Sequence, residues 1–173
     1  MILKVATLGS PSVRTKAKEV RPAEIQTREF QDLIDSMIAT MRKNDGVGIA
    51  APQVRVSKAV FCVESVRNPR YLGSPQVPLY VAVNPKVRIL DKAPLGLWEG
   101  CLSVPGLRGE VFRAKKVELS ALDRRGKPFR ITAAGFHARI IQHEFDHLQG
   151  KIYLDRMKDL RSLAFVEHIE RGR

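Results

Sequence analysis

Two histidines and a glutamate in the last third of the chain have the residue types and spacing of a hydrolytic metal site. His143 and His147 lie four positions apart in IIQHEFDHLQG, and Glu144 directly follows the first histidine. On an α-helix this spacing directs both imidazole rings to one face, from which both can bind a single divalent cation. Glu144 then points to the side where water on that cation would lie, and its carboxylate can accept a proton from this water.

The spacing alone leaves the third metal ligand open. A histidine ten positions after His143, typical of one class of metalloproteases, is excluded because Tyr153 stands there. A carboxylate from Glu167 or Glu170 would give a metalloendopeptidase, whereas the thiolate of Cys101, within LWEGCLSVPG, would give a His₂Cys site. A closed structural zinc site needs four protein ligands, so three good candidates favour an open, reactive site over a basic RNA-binding module with a structural metal.

A glycine-rich segment, GVGIAAPQV at residues 46–54, formally matches a dinucleotide-binding pattern. That pattern requires a preceding strand and a following helix, but here an amphipathic helix precedes the glycines and Pro52 follows them. Two interpretations remain. The segment is either a flexible turn that ends the helix, or a loop whose backbone approaches an extended peptide while Gln53 supplies an amide donor.

Helices and short strands must position these residues. Apolar side chains recur at steps of three and four in three stretches, which predicts helices over residues 22–44, 135–148 and 159–170. Short apolar runs between turn residues predict strands over residues 59–63, 79–85 and 86–90, and residues 117–131 have the pattern of a hairpin. Helices separated by several antiparallel strands indicate an α+β architecture.

Composition predicts one globular domain over residues 1–173. The chain is 44% hydrophobic and 28% charged, which is typical of folded proteins and excludes disorder and coiled coil. The first residues contain no apolar run long enough for a signal peptide or a membrane span, which predicts a cytoplasmic chain or a mature organellar form. Cys62 and Cys101 form no CxxC pair, which fits a reducing compartment, and Cys62 in AVFCV is predicted to be a buried apolar residue.

The net charge of +12 predicts attraction to a polyanion such as RNA. Residues 104–130 alone hold eight Lys or Arg against three acids. No helix-turn-helix, zinc-finger or aromatic RNA-binding pattern accompanies this charge, so we expect weak electrostatic docking and no sequence-specific nucleic-acid recognition.

Three segments of the chain, in this order, resemble the motifs of the peptide deformylase family. These metallohydrolases remove the formyl group from the N-terminal methionine of newly made polypeptides. The family motifs GxGxAAxQ, EGCLS and QHExDH correspond to residues 46–53, 99–103 and 142–147. The resemblance implies a compact α+β domain in which antiparallel strands surround a central HExxH helix, with N-terminal and C-terminal helices. It also implies action on formyl-methionyl nascent peptides, with docking at the ribosome surface through basic charge.

The resemblance assigns roles to individual residues. The metal ligands would be Cys101, His143 and His147, and Glu144 would be the general base and acid acting with metal-bound water or hydroxide. Ferrous iron is the metal implied, with zinc, nickel or cobalt as alternatives. Gln53 and the backbone N–H of Leu102 would stabilise the oxyanion. The implied substrate-binding residues are Gly48, Val47, Leu97, Glu99, Gly100, Phe136, Ile140 and Arg108.

One residue in this predicted pocket departs from an apolar pattern. Arg139 lies between Phe136 and Ile140 in the sequence. Long charged side chains commonly extend away from apolar surroundings, so we expect the guanidinium group of Arg139 to point away from the cavity.

Overall fold

The chain folds around one antiparallel sheet that has a long helix on each face. The structure is a computed structural model that describes residues 1–169. Five strands are neighbours in chain order, and a sixth, shorter strand pairs with the fourth. They are β1 (Gly48–Ala50), β2 (Val60–Ser65), β3 (Val77–Cys101), β4 (Val104–Leu122), β5 (Pro128–Ala134) and β6 (Ala164–Phe165). This arrangement confirms the predicted α+β class.

Alternation along the strands gives the sheet two buried faces. On β2, Val60 and Cys62 pack into the cluster formed with the N-terminal helix, whereas Phe61 and Val63 pack into the cluster formed with the HExxH helix. Because successive side chains of a strand point to opposite faces, one strand can serve both clusters. Cys62 is fully buried, as predicted.

The predicted N-terminal helix is divided into two. A single turn, α1 (Pro22–Ile25), is followed by α2 (Arg28–Lys43), and Thr27 caps α2 by accepting a hydrogen bond from the Phe30 N–H. Threonine is favoured at this position because its side chain satisfies a backbone donor that has no partner inside the helix. Among residues 1–169, no helix has the length and apolar content needed to cross a membrane.

The helix that holds HExxH spans Gly135–Leu148 and is named α3. Its bounds agree with the prediction. Gly150 follows it with a φ of +70°, and a Cβ atom there would lie 2.5 Å from the carbonyl oxygen of Arg14. Only glycine meets both conditions without strain, so this residue fixes where the chain leaves the helix.

Strand β3 is longer than expected, because the two strands predicted at 79–85 and 86–90 are one. The register with its neighbours shifts between Val83 and Lys86, around Asn84, whose φ is +49°. The Asn84 side chain donates to the carbonyl of Val20 and accepts from its N–H, at 2.8 Å each. The strand therefore continues through a local irregularity that a side chain stabilises.

The C-terminal segment differs from the amphipathic α-helix expected over residues 159–170. Residues 159–169 contain two single-turn 3₁₀ helices, Leu160–Ser162 and Val166–His168, on either side of β6; Glu170 lies outside the described residues. Strand β6 pairs with Leu107 and Arg108 of β4, so the backbone makes sheet hydrogen bonds in place of a continuous helical ladder.

The N-terminal segment crosses the edge of the molecule and joins two loops. The N–H of Ala6 donates to the carbonyl of Gln53 at 2.7 Å, and the N–H of Leu8 donates to the carbonyl of Ser103 at 2.8 Å. Closer to the start, the N–H of Leu3 donates to Oγ1 of Thr40. The loops that contain Gln53 and Ser103 are therefore held together by residues far from both in sequence.

Candidate metal centre

Cys101, His143 and His147 are brought together in the structure. One ligand atom from each lies within 4.8 Å of the other two, and Sγ of Cys101 is 3.2 Å from Nε2 of His147. Within residues 1–169, this is the group of three His, Cys, Asp or Glu side chains whose ligand atoms lie close enough together to hold a metal ion. Glu167, the alternative third ligand, has a side chain 76% exposed and lies beside His168. The structure thus favours the His₂Cys set over the metalloendopeptidase set.

Two elements deliver these ligands. Helix α3 places both histidines on one face, with their ring centroids 5.0 Å apart. Cys101 is the last residue of β3, where a tight turn of Leu102 and Ser103 leads into β4. Since the turn lies against α3, a residue more than forty positions away in sequence reaches the two rings.

A buried carboxylate orients the first histidine. Nδ1 of His143 lies 2.8 Å from Oε2 of Glu99, which leaves Nε2 for a cation. Arg113 donates two further hydrogen bonds to Glu99, at 2.6 and 2.9 Å. Although Glu99 borders the cavity, it is 2% exposed and both of its oxygens face these partners. This position suits the orientation of His143 better than the substrate contact implied by the family resemblance.

Arg113 and Asp146 extend this network and were not among the predicted site residues. Arg113 also donates to Oδ2 of Asp146 at 2.7 Å, and Asp146 accepts from Arg156 on its other side. The sequence does contain features that point to both residues. Asp146 is inside the QHExDH motif, and Arg113 lies two residues after the apolar Val111 on β4, so the two side chains share the inward face.

The electrostatics of this region favour a thiolate at Cys101. Burial by itself would raise the pKa of the thiol, but the charges and hydrogen bonds of His147 and His143 lower it well below its usual value. Burial likewise opposes ionisation of Glu99, yet Arg113 and His143 together bring the pKa of this carboxyl down to about 2. An anionic sulfur is the form that binds a metal.

Glu144 is buried beside the ligands and faces the cavity. It is 4% exposed, and its Oε2 has no hydrogen-bond partner among the described residues. Burial raises the pKa of this carboxyl to about 7, against the opposing charges of His143 and His147. Gly48 lies against it so closely that a Cβ there would lie 2.6 Å from Cδ of Glu144. The geometry and the pKa both suit a group that exchanges protons near neutral pH.

Gln53 occupies a fixed position behind the cavity. It is 1% exposed, and its Oε1 accepts from the N–H of Ala50 at 2.8 Å. Its Nε2 lies 3.3 Å from Oγ of Ser103 and 3.5 Å from Sγ of Cys101. The interpretation of this segment as a flexible turn is therefore wrong, because residues 48–50 form the buried strand β1 and residues 51–54 a buried 3₁₀ turn.

A small cavity adjoins the ligand cluster. The predicted residues that line it are Val47, Gly48, Gln53, Glu99, Gly100, Cys101, Leu102, Ile140, His143 and Glu144. Leu97, Phe136 and Arg108 are not among its lining residues: Leu97 pairs with Val111, Phe136 packs on Tyr71, and Arg108 lies opposite Gly100. Lining residues that the sequence analysis did not predict are Gly46, Arg70, Tyr71 and Arg139.

The position of Arg139 differs from the expectation. It is 7% exposed, and its guanidinium group lies 4.7 Å from the ring centre of Phe136 and 5.3 Å from that of Tyr71. Its Nη1 donates to the carbonyl of Trp98 at 2.6 Å. The two rings and this carbonyl hold the charged group at the cavity, so it does not extend away into solvent.

The residues present fit one divalent metal ion. Two imidazoles and a thiolate converge, a carboxylate orients one ring, and Glu144 lines the adjoining cavity with an Oε2 that has no partner among the described residues. An α+β fold in which an HExxH helix supplies two imidazoles and a strand end supplies a thiolate defines a metal-dependent hydrolase.

Comparison with known proteins identifies the family. The family model described as polypeptide deformylase matches residues 2–162. The peptide deformylase of Leptospira biflexa is 40% identical to this chain, over 98% of this chain and 95% of its own length. Peptide deformylase 2 of Nostoc sp. is 44% identical, over 98% of this chain and 94% of its own length. The Met-Ala-Ser-bound crystal structure of the class I type b peptide deformylase from Acinetobacter baumannii superposes with a TM-score of 0.87 at 41% identity, over 91% of this chain and 99% of that one. The chain belongs to the polypeptide deformylase family and is an enzyme.

The Glu99 carboxylate should make the stability of the metal-free protein depend on pH in acid. Its pKa is about 2 in the folded state, against a usual 4.5, so its contribution is complete above about pH 4.5 and is lost as the pH falls towards 2. We expect the free energy of unfolding to drop by ~3 kcal/mol over this interval on account of Glu99. Denaturant titrations at a series of pH values measure this slope.

The control for this prediction compares two glutamate-to-glutamine variants. Glu99→Gln should be less stable at neutral pH, because Arg113 loses a buried partner, and should show a shallower acid slope. Glu167→Gln changes an exposed carboxylate and should keep the full slope. An unchanged slope in Glu99→Gln would contradict the assignment.

Proposed function

We propose that this chain hydrolyses the formamide bond of N-terminal formyl-methionine in newly made polypeptides, releasing formate and a free amine. The observation that carries the proposal is the convergence of Cys101, His143 and His147 beside the buried carboxylate of Glu144. The family match over residues 2–162 supports it, as does the peptide bound to the Acinetobacter baumannii relative. We propose that residues 1–173 form one deformylase-like domain.

Cys101, His143 and His147 would hold the metal. A divalent cation bound there would polarise the formyl carbonyl and lower the pKa of the attacking water. The mixed sulfur and nitrogen donors suit ferrous iron, which we propose as the physiological ion, and they also suit zinc, nickel or cobalt.

Glu144 would transfer the proton that the reaction requires. Its carboxylate accepts a proton as water attacks the formyl carbon and then donates that proton to the leaving amine nitrogen. Burial supports this role because it raises the pKa of Glu144 to about 7, where the group can both accept and release a proton. Gly48 lies against the carboxylate and restricts where it can move.

Gln53 and the backbone N–H of Leu102 would stabilise the negative charge that develops on the formyl oxygen. Gln53 is anchored through its Oε1, which leaves its Nε2 directed to the side where Cys101 and the cavity lie. Leu102 follows Cys101 in the turn that ends β3 and lines the same cavity. Fixed donors aimed at a developing charge are more effective than mobile ones.

The substrate main chain would run along the strand edges that border the cavity. In the described part of the chain, β1 pairs with β2 alone, so the far edge of Gly48–Ala50 has no strand partner. Gly100, at the end of β3, lines the cavity opposite. An extended peptide between them could add hydrogen bonds to both edges.

The methionine side chain would bind among apolar residues of the cavity. Val47 and Ile140 line it directly, and Ile140 lies one turn before His143 on α3. Phe136 packs on Tyr71, which lines the cavity, and Leu97 pairs with Val111 on β4. Arg108, opposite Gly100, would meet the more distant part of the peptide.

The bacterial origin of the relatives supports a role in the bacterial cytoplasm, with a mature organellar form as the alternative placement. The net charge of +12 supports weak electrostatic docking at the ribosome surface. Such docking would weaken steeply as the salt concentration rises.

Formate release from formyl-Met-Ala-Ser tests the proposed function. The protein is loaded with ferrous iron, nickel or cobalt, and formate is measured together with the new amine, which should appear in equal amounts. Acetyl-Met-Ala-Ser is the matched control and should be hydrolysed far more slowly. Absence of formate with all three metals, or cleavage of an internal peptide bond instead, would refute the proposal.

A further inference from the structure

Two arginines lie against one aromatic ring at the cavity, and a third is the residue before that ring in the chain. The guanidinium carbons of Arg108 and Arg139 lie 5.2 and 5.3 Å from the ring centre of Tyr71, and Arg70 precedes Tyr71 in the chain. Arg70, Tyr71 and Arg139 line the cavity itself. We call Arg70, Arg108 and Arg139 the arginine cluster.

No member of the arginine cluster forms an ion pair with a residue in 1–169. The nearby carboxylate of Glu99 is occupied by Arg113 and His143. Arg113 provides the contrast within the same protein, because it is equally buried but has two carboxylate partners.

An unpaired guanidinium group with little access to water is energetically unfavourable. Arg139 is 7% exposed and makes one hydrogen bond, to a neutral carbonyl, although its side chain has five N–H donors. Nε of Arg108 is buried with no partner among the described residues. A cation held without an anion leaves the site complementary to an anionic ligand.

The arginine cluster lies beside the strand edge that ends in a metal ligand. A Cβ atom on Gly100 would lie 3.4 Å from both Nη2 of Arg70 and Nε of Arg108. Cys101 follows Gly100 directly. The guanidinium groups of Arg70 and Arg108 therefore lie over the backbone next to Cys101, where on the proposed function the residues that follow a bound methionine would extend.

We propose that the arginine cluster recognises a carboxylate side chain at the second or third residue of the substrate, so that acidic formyl-methionyl peptides are preferred. This inference rests on the proposed function. A carboxylate is the anion that a peptide can offer at these positions, and its two oxygens match the planar donors of a guanidinium group.

The test compares kcat/KM for C-terminally amidated peptides, which carry no terminal carboxylate. Formyl-Met-Asp-Ala-amide and formyl-Met-Ala-Asp-amide are each compared with the matching asparagine and lysine peptides. We expect aspartate to exceed asparagine by about tenfold at one of the two positions, and lysine to be the poorest. Aspartate and asparagine peptides within twofold of each other at both positions would overturn the inference.

Variants of the arginine cluster identify the groups responsible. Arg139→Met keeps an unbranched apolar side chain against the two rings, and Arg70→Gln removes a charge at a partly exposed position. In each variant the ratio of kcat/KM for the aspartate peptide to kcat/KM for the asparagine peptide (the Asp/Asn ratio) should fall towards one. Arg139→Lys should retain part of the ratio. Arg130→Gln, at a side chain 70% exposed on the sheet, has the same change in net charge and should retain all of it. An undiminished ratio in both Arg139→Met and Arg70→Gln contradicts the inference.

The neutral peptide separates this inference from the proposed function. If formyl-Met-Ala-Ala-amide gives formate but aspartate has no effect, the arginine cluster is not the determinant and the proposed function stands. If no peptide gives formate, the proposed function fails. Binding calorimetry then tests the arginine cluster separately from catalysis. The peptides are acetyl-Met-Asp-Ala-amide, acetyl-Met-Ala-Asp-amide and their asparagine analogues. The inference predicts that one aspartate peptide binds more tightly than its asparagine analogue and that this difference shrinks as the salt concentration rises.

Discussion

Replacing Glu144 by glutamine should lower kcat for formate release by about three orders of magnitude while the metal stays bound. The amide has the size of the carboxylate but accepts no proton from water. Glu144 is not one of the three converging ligands, and its Oε2 has no partner within residues 1–169 that would be left unsatisfied. The measurement pairs steady-state formate release with the metal content of the same purified sample.

A glutamate far from the cavity serves as the control for this substitution. Glu118→Gln changes a carboxylate on the outer face of β4, where it accepts from Arg88, and should leave kcat unchanged. If Glu144→Gln retained more than a tenth of the wild-type kcat with full metal content, Glu144 would not be the group that transfers the proton.

Replacing Cys101 by alanine should weaken metal binding by at least ~100-fold and abolish activity at ordinary metal concentrations. The change removes the sulfur, which is the anionic member of the ligand set and the one delivered by a different element from the histidines. Dissociation constants follow from competition with a chelator. In the cobalt-substituted protein, the thiolate-to-cobalt absorption band should be lost.

The second cysteine provides a matched control. Cys62→Ala is the same chemical change at a fully buried position, where the side chain packs against α2. It should lower the free energy of unfolding by about 1 kcal/mol but retain the metal and the absorption band.

If Glu167→Gln released the metal and Cys101→Ala did not, the metalloendopeptidase interpretation would be correct instead.

The helix that holds the ligands was predictable because its pattern is local. Phe136, Ile140, His143 and His147 follow helical spacing, and Gly150 marks the end, so the bounds of α3 follow from the sequence alone. The third ligand depends on tertiary structure. The sequence left Cys101, Glu167 and Glu170 as candidates, and the close approach of the β3–β4 turn to α3 favours the first.

Charged residues were the least predictable part of the site. Arg113 was counted only for its charge, as one of the basic residues in 104–130, yet it is buried because Glu99 and Asp146 reach it from other elements. Arg139 was expected to extend towards solvent, but the rings of Tyr71 and Phe136 stabilise it at the cavity. Sequence shows that a residue is charged and does not show which distant groups will surround it.

The predicted bounds of helices and strands were wrong where a contact with a residue distant in sequence overrides the local sequence pattern. Separate strands were predicted at 79–85 and 86–90, but the contacts of Asn84 with Val20 stabilise the irregular register and β3 continues. The three-residue spacing of Leu160, Leu163 and Val166 resembled a helix. Pairing of β6 with β4 gives that segment an extended stretch instead.

The N-terminal segment has a consequence for how firmly the site is assembled. The N–H groups of Ala6 and Leu8 donate to the carbonyls of Gln53 and Ser103, so one short stretch of backbone clamps the loop of the proposed oxyanion donor to the turn that follows Cys101. Two groups that must act on the same bond therefore keep their separation through a tether that touches neither of them by side chain. Detachment of this tether would allow Gln53 and Cys101 to drift apart without any change in the ligands themselves.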